Sequence, residues 1–161
     1  MPRITPALAG GLQVCAFLDV IAVSEIGTEL LAVSDDGYNV LVGSTASKPL
    51  LFHSYADHPD VFNPDENSDA AGRYQQMYEW WPAYKRQLGL KDFSPVSQDM
   101  VALQLMRECH AIVLVQAGQL EEAVFACSSR WASFPGNNYG QHTQTLATLA
   151  QAFKASGGII S

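Results

Sequence analysis

One apolar stretch, residues 12–25, restricts the fold of this chain more than any other feature. It reads Leu-Gln-Val-Cys-Ala-Phe-Leu-Asp-Val-Ile-Ala-Val-Ser-Glu, so a helix formed by it is apolar on nearly every face. Such a helix is buried by neighbours on all sides and does not lie on a surface. Ile26-Gly27 then supplies a helix end. The sequence therefore predicts a central helix enclosed by the rest of the protein.

A polar loop and two short runs follow this helix. The runs Tyr38–Gly43 and Leu50–Tyr55 are bounded by Gly, Pro and Ser, which is typical of short strands. We expect them to form a small antiparallel sheet.

The second half of the chain predicts helices. Apolar residues at helical spacing return from Ala70 to Leu88, where Pro82 must start a new segment or kink the helix. Ser94-Pro95 opens the next helix. Three later helices are expected at Ala111–Gln116, Leu120–Arg130 and His142–Ser156. The order indicates an α+β domain that is mostly helical.

Size and charge exclude several classes of protein. A chain of 161 residues suits one domain, residues 1–161. Its formal charge of −7 gives no electrostatic basis for binding nucleic acid. Three cysteines with no Cys-x-x-Cys pair support neither a disulfide framework nor a zinc ribbon. The apolar N-terminal run lacks the features of a secretion signal, and no stretch is long enough for a membrane span, so stable membrane association is not expected.

Glu25 is the first candidate for chemistry. A carboxylate at the end of an apolar helix is desolvated and faces the negative end of the helix dipole, and both effects raise its pKa. A carboxylic acid that stays protonated near neutral pH can donate a proton to a leaving sugar oxygen. The alternative is an ordinary exposed helix end.

Asp35 and Asp36 are candidates for a second carboxylate of a glycoside hydrolase. Asp-Asp-Gly is also ordinary turn chemistry, and we favour the turn. Asp65–Asp69 resembles a calcium loop without its essential glycine and final glutamate. His53 and His58 match no common zinc spacing and are interpreted as solvated loop residues. We therefore expect no metal and no cofactor.

Aromatic residues provide possible binding surfaces for sugars. Trp81 has the spacing of a core residue, whereas Tyr74 and Tyr139 lie in or beside glycine-containing segments that can border a cleft. The two tyrosines are therefore the better ligand candidates.

Several blocks, in order, resemble the bacteriophage lambda endolysin family, which consists of phage lytic transglycosylases with a lysozyme-like fold. The blocks extend over residues 16–158 and include Ala16-Phe-Leu-Asp19 with Ser24-Glu25, Asp57-His-Pro59, Ala71-Gly-Arg-Tyr-Gln75, Gln87-Leu-Gly-Leu-Lys-Asp-Phe-Ser-Pro95 and Trp131-Ala-Ser. The resemblance implies a mostly helical α+β fold in which a small antiparallel sheet flanks an active-site cleft.

The resemblance also implies roles for individual residues. Glu25 matches the single catalytic glutamate of the family. Gln75 matches a position that contacts the glycan beside the acid, and Tyr139 matches a tyrosine that lines the cleft. Tyr38, Ser54 and Tyr74 are weaker candidates for the same wall.

The activity implied is cleavage of the β-1,4 bond between N-acetylmuramic acid (MurNAc) and N-acetylglucosamine (GlcNAc) with formation of 1,6-anhydro-MurNAc. A hydrolytic muramidase using Glu25 with Asp35 or Asp36 is the first alternative, and a peptidoglycan-binding domain without activity is the second. The expected partner is the peptidoglycan glycan strand, and the protein is expected to be a monomer. An enzyme of this family is made in the host cytoplasm and acts on periplasmic peptidoglycan after holin-mediated release.

Overall fold

The central helix predicted from the sequence is the core of the fold. The computed structural model describes residues 1–136 and 143–161. A short first helix, α1 (Pro6–Ala9), precedes the long α2 (Leu12–Ile26), most of whose side chains are buried. Gly27 ends α2 with a φ of 80°, and its N–H donates to the Val23 carbonyl at 3.0 Å. This confirms the predicted helix and its end.

Further helices follow α2 along the chain. They are α3 (Thr28–Ala32), α4 (Trp81–Leu88), α5 (Pro95–Glu108), α6 (Ala111–Gln116), α7 (Leu120–Cys127) and α8 (Leu146–Ala155). Helix α2 contacts α1, α3, α5, α6 and α8, which explains how it can be apolar on every face. None of the helices in the described ranges has both the length and the apolar character that crossing a membrane requires.

The predicted sheet is present as isolated antiparallel bridges. Val40 pairs with Leu51, and Leu41 pairs with Ala71. The Leu41 N–H donates to the Leu50 carbonyl at 2.9 Å, and the Val42 N–H donates to the Ala70 carbonyl at 3.0 Å. Gly37 and Gly43, on either side of this pairing, have φ values of 86° and 82°, so the extended backbone is too short for continuous strands.

The prediction of helix from Ala70 is wrong for its first part. Ala71 pairs with both Leu41 and Gln76, and a turn connects the two halves of the segment. Gly72 and Gln75 have positive φ values, which a helix does not allow. Helix α4 begins at Trp81, with Pro82 in its first turn as expected.

Two later helix boundaries also differ from the prediction. Helix α7 ends at Cys127, where Ser128–Arg130 continue as turns, so Arg130 lies outside it. Helix α8 begins at Leu146, and the side chain of its N-cap, Thr145, accepts a hydrogen bond from the Thr148 N–H. The predicted start at His142 lies outside the described residues.

Candidate active site

Glu25 lies in the last turn of α2, where the buried helix reaches the protein surface. Its neighbour Ser24 is buried, whereas Glu25 is half-buried. The helix ends at Ile26 because Gly27 turns the chain away. The carboxyl group therefore lies at the C-terminal end of the buried helix α2.

A serine from a distant segment contacts this carboxyl group. The Ser133 hydroxyl donates to Glu25 Oε1 at 2.5 Å. Ser24 Oγ lies 2.7 Å from Ser133 Oγ. Because Ser133 uses its proton toward Glu25, Ser24 is the donor in the second contact. The two hydroxyls thus form a short chain that ends on the carboxyl group.

The pKa of Glu25 is raised to about 7. Burial is the main cause, because it disfavours the charged carboxylate, while hydrogen bonds from the Ser133 side chain and backbone oppose the shift. The direction expected from the sequence is confirmed. A large fraction of Glu25 is therefore protonated at neutral pH and able to donate a proton.

Gln75 is positioned by a tight turn. Its backbone φ is 48°, and both its backbone N–H and its side-chain amide donate to the Gly72 carbonyl, at 3.1 and 2.9 Å. A Cβ at residue 72 would overlap the buried Gln98 amide oxygen, so only glycine fits. Gln98 also accepts a hydrogen bond from the Arg73 N–H at 3.0 Å. The turn that presents Gln75 is thus anchored to α5.

A cavity of about 270 Å³ lies beside this turn. Its wall includes the aromatic residues Trp80, Trp81, Tyr84 and Trp131, together with Gln75 and Arg130. Trp131 is buried and lies two residues before Ser133. The segment that contacts Glu25 therefore also forms part of the cavity wall.

The two adjacent tryptophans have different surroundings. Trp81 is buried, as expected of a core residue, and its indole N–H donates to Asp57. Trp80 is 55% exposed and lines the cavity, so its ring is accessible to a ligand.

Tyr38 and Tyr74 are buried, contrary to the expectation that they line a cleft with their side chains. Both hydroxyls donate to Asp99 Oδ1, at 2.8 and 2.6 Å, which keeps them in the core. Tyr74 contributes to the cavity wall but is only 1% exposed. The backbone N–H groups of Arg3 and Ile4 donate to the other oxygen of Asp99, each at 2.7 Å.

Asp35 and Asp36 form a turn, which is the interpretation we favoured. The Asp35 carbonyl accepts from the Tyr38 N–H at 2.9 Å, and Asp36 has a φ of 50°. Asp35 is bound by the Tyr55 hydroxyl at 2.6 Å and by Arg3 at 3.1 Å. The Asp36 carboxylate lies 2.7 Å from the buried Arg73 guanidinium.

Arg73 shows where the Asp36 carboxylate lies relative to Glu25. The same guanidinium pairs with Asp19 at 2.5 Å. Asp19 precedes Glu25 by six positions on α2, which is about 9 Å along the helix and on a different face. Asp36 is therefore held, through Arg73, together with Asp19 of α2.

The remaining predicted residues have different fates. Ser54 is exposed in a loop, where its hydroxyl accepts from the Ala56 N–H at 3.3 Å. Tyr139 lies outside the described residues. His53 is exposed as expected, but His58 is buried, with Nε2 2.8 Å from the Gln76 carbonyl oxygen, so it is not a solvated loop residue. Burial lowers the pKa of His58.

Sequence reasoning missed Ser133 as a site residue. Its block, Trp131-Ala-Ser, carries part of the resemblance, but nothing local connects it to Glu25, which lies 108 positions away. Ser24 directly precedes Glu25 and was equally unassigned. Two features of the sequence could have indicated these residues. Ser24 lies directly beside the candidate acid, and Ser133 lies in a block that resembles the family.

Comparison with known proteins identifies the family. The Endolysin family model matches residues 15–160. The endolysin of Escherichia phage P2 is 42% identical over 162 residues, covering 96% of this chain and 98% of the relative. The endolysin of Escherichia phage lambda is 45% identical over 150 residues, covering 90% and 91%. This chain belongs to the endolysin family.

Solved structures agree with this assignment. The bacteriophage lambda lysozyme complexed with a chitohexasaccharide superposes with a TM-score of 0.86 at 41% identity, over the full length of both chains. Another structure of lysozyme from bacteriophage lambda gives a TM-score of 0.80 at 41% identity, again over both full lengths. The lysozyme-like α+β fold is therefore confirmed. Membership establishes a phage endolysin, a peptidoglycan-cleaving enzyme of host cell lysis.

Proposed function

We propose that this endolysin is a lytic transglycosylase, which cleaves the MurNAc–GlcNAc β-1,4 bond and leaves 1,6-anhydro-MurNAc. The observation that carries the proposal is the environment of Glu25. Its pKa is about 7, and its described partner, Ser133, is a hydroxyl-bearing residue. An acid with a near-neutral pKa can both donate and recover a proton within one catalytic cycle.

In the first step, protonated Glu25 donates to the glycosidic oxygen, and the GlcNAc side of the strand leaves as an alcohol. The acetamido group of MurNAc stabilises the positive charge at C1. Ser133 assists by donating to the carboxylate that Glu25 becomes, and Ser24 supports Ser133 in turn. The hydroxyl chain therefore favours the charged form when it is needed.

In the second step, the Glu25 carboxylate removes the proton from the MurNAc C6 hydroxyl. The C6 oxygen attacks C1 and closes the anhydro ring, and Glu25 is protonated again. Neither water nor a second carboxylate takes part. Gln75, at the cavity edge, is proposed to hold the sugar so that the C6 hydroxyl reaches C1 before water does.

The contacts of Asp35 and Asp36 support this route over hydrolysis. A hydrolytic muramidase needs a second carboxylate as base or nucleophile opposite the acid. Asp35 is bound by Tyr55 and Arg3, and Asp36 is bound by Arg73. This hydrogen bond and these ion pairs favour a structural role for both aspartates.

The substrate and the place of action follow as part of the proposal. The lambda relative was solved with a chitohexasaccharide, and this chain aligns with it over its full length. We propose that the aromatic cavity and Gln75 bind a peptidoglycan glycan strand. The enzyme would be a monomer, made in the host cytoplasm, that reaches periplasmic peptidoglycan through holin lesions.

Mass spectrometry of digested peptidoglycan tests the proposal. Soluble fragments lighter by one water than hydrolysis products, ending in 1,6-anhydro-MurNAc, are expected. Digestion in water labelled with oxygen-18 should leave these fragments unlabelled. Reducing ends carrying the label would mean that water attacks and would overturn the proposal in favour of a muramidase. Absence of fragments from folded protein would favour a binding domain.

A further inference from the structure

The cavity beside the Gln75 turn contains a charged residue that the reaction proposed for Glu25 does not use. Arg130 lines this cavity, and the rest of its described wall consists of aromatic, apolar and neutral polar residues. The guanidinium group stays protonated at any pH at which an enzyme works. The protein as a whole has a formal charge of −7. A cation in an otherwise neutral cavity of an acidic protein indicates a ligand that carries a negatively charged group.

Neighbouring side chains hold Arg130 at the cavity wall without enclosing it. Its Nη2 lies 3.4 Å from Glu108 Oε2, which is longer than the ~2.8 Å of a strong charge-assisted hydrogen bond. Glu108 also accepts from the Tyr84 hydroxyl at 2.8 Å and from the Gln104 side-chain amide at 3.1 Å. The Arg130 side chain is 41% exposed, and its several N–H donors exceed what one carboxylate oxygen can accept. The guanidinium can therefore bind a second carboxylate while Glu108 holds it in place.

The cavity also adjoins the position proposed for the reacting MurNAc. Gln75, which is proposed to hold that sugar, lies in the same wall as Arg130. Trp131 follows Arg130 in this wall, and Ser133, two residues further along the chain, donates to Glu25. One short segment therefore connects the cavity to the proposed acid. A substituent of the reacting MurNAc is the group expected beside Arg130.

MurNAc differs from GlcNAc in the substituent that brings carboxylates to the glycan strand. MurNAc carries a lactyl ether, whose carboxyl group is either free or linked to a peptide stem that bears carboxylates of its own. GlcNAc has a hydroxyl at the same carbon. The planar guanidinium of arginine matches the geometry of a carboxylate. We propose that Arg130 binds a carboxylate carried by the MurNAc substituent and makes the cavity selective for peptidoglycan over uncharged glycans such as chitin.

This role of Arg130 rests on the proposed function, because it needs a MurNAc residue beside Gln75. Three forms of one soluble, uncross-linked glycan strand test it. The first keeps its peptide stems, the second has lost them to an amidase and exposes the lactyl carboxylates, and in the third those carboxylates have been converted to amides. Steady-state cleavage of each strand gives KM and kcat for the wild type and the variants. The third strand carries no carboxylate and therefore reports every effect of Arg130 except the proposed contact.

Arg130→Gln should raise KM about tenfold on a strand that carries the bound carboxylate, with a much smaller change in kcat and little change in KM on the amidated strand. A rise confined to the strand with stems assigns the contact to a stem carboxylate, and a rise on the stripped strand assigns it to the lactyl carboxylate. Arg130→Lys keeps the charge and should recover part of the affinity. Arg86→Gln is the matched control, because Arg86 is exposed on α4 and lies outside the described cavity wall. Its KM should equal that of the wild type.

An equal rise in KM on all three strands, or no rise on any of them, would overturn the proposal. The wild type provides a second measurement that needs no folded variant. Its KM should be about tenfold higher on the amidated strand than on the preferred strand, and added salt should reduce that ratio. Equal wild-type KM values on the three strands would also overturn the proposal. The end groups of the released fragments test the transglycosylase separately, since they do not enter these ratios. If the protein cleaves no strand, dissociation constants from calorimetry replace KM in the same comparison.

Discussion

Glu25 and Asp99 are both acids near the core, but the structure treats them differently. Asp99 is fully buried and receives four donors, from the hydroxyls of Tyr38 and Tyr74 and the backbone of Arg3 and Ile4. The described donors to Glu25 come from one residue, Ser133. Burial raises the pKa of both acids, and hydrogen bonds oppose it. Asp99 therefore stabilises the fold, whereas Glu25 keeps the capacity to donate and accept a proton.

The largest expected effect is on activity, from Glu25→Gln. Removing the general acid should reduce peptidoglycan cleavage by about 1,000-fold, because no described group replaces the proton donor. The loss of activity is measured by the release of soluble fragments from purified peptidoglycan. Glu121→Gln, an exposed glutamate in the first turn of α7, is the control and should keep wild-type activity. Wild-type activity in Glu25→Gln would contradict the assignment.

Asp99→Ala should have the largest effect on stability. It leaves two buried hydroxyls and two backbone N–H groups without their acceptor, so we expect a loss of about 3 kcal/mol or more in the free energy of unfolding. Urea unfolding measures the loss, with the exposed Asp65→Ala as control. A change as small as that of the control would mean that Asp99 does not organise the core.

Glu25→Gln should stabilise the protein at high pH, the opposite of the Asp99 variant. The folded pKa of about 7 lies above the ordinary value of 4.5, so the folded state binds the proton more tightly. Wild-type stability is therefore lost as the pH rises from about 4.5 through 7. Above pH 8 the variant should be more stable by about 1 to 2 kcal/mol, after allowance for the partial exposure of Glu25. If the difference in the free energy of unfolding between Glu25→Gln and the wild type were the same at pH 5 and at pH 8, the pKa of Glu25 would not be raised by burial.

The smallest effect is expected from Ser133→Ala. The hydrogen bond from its hydroxyl lowers the pKa of Glu25, so the loss of that hydroxyl should raise the pKa further, while the backbone hydrogen bond of residue 133 remains. Activity that depends on protonated Glu25 should then decline at higher pH than in the wild type, by about half a pH unit. The pH profile of kcat/KM measures the shift, with Ser128→Ala as control because that hydroxyl donates to the Phe125 carbonyl. An unchanged profile would show that Ser133 does not tune the acid.

The sequence predicted the parts of the fold that depend on local chemistry. The apolar pattern of α2, the stop at Gly27 and the proline starts of α4 and α5 all act within a few residues. The position of Glu25 and the direction of its pKa shift follow from the same helix.

The parts that were missed depend on contacts between distant residues. Ala70–Gln76 was predicted as helix because it begins a stretch with apolar residues at helical spacing. The pairing of Ala71 with Leu41 and the close approach of Gln98 to Gly72 instead impose a turn. Tyrosine hydroxyls turn inward because Asp99 lies in the core to receive them. Such contacts between residues far apart in the sequence cannot be predicted from local sequence patterns.

Titration of the Glu25 carboxyl group by carbon-13 NMR measures the protonation state of the proposed general acid itself. The signal is assigned by its absence from Glu25→Gln, and its chemical shift is followed from acid to alkaline pH. We expect a midpoint near pH 7, with a higher midpoint in Ser133→Ala. A midpoint at the ordinary value of a glutamate, 4.5, would contradict it, because Glu25 would then be a carboxylate at neutral pH with no proton to donate.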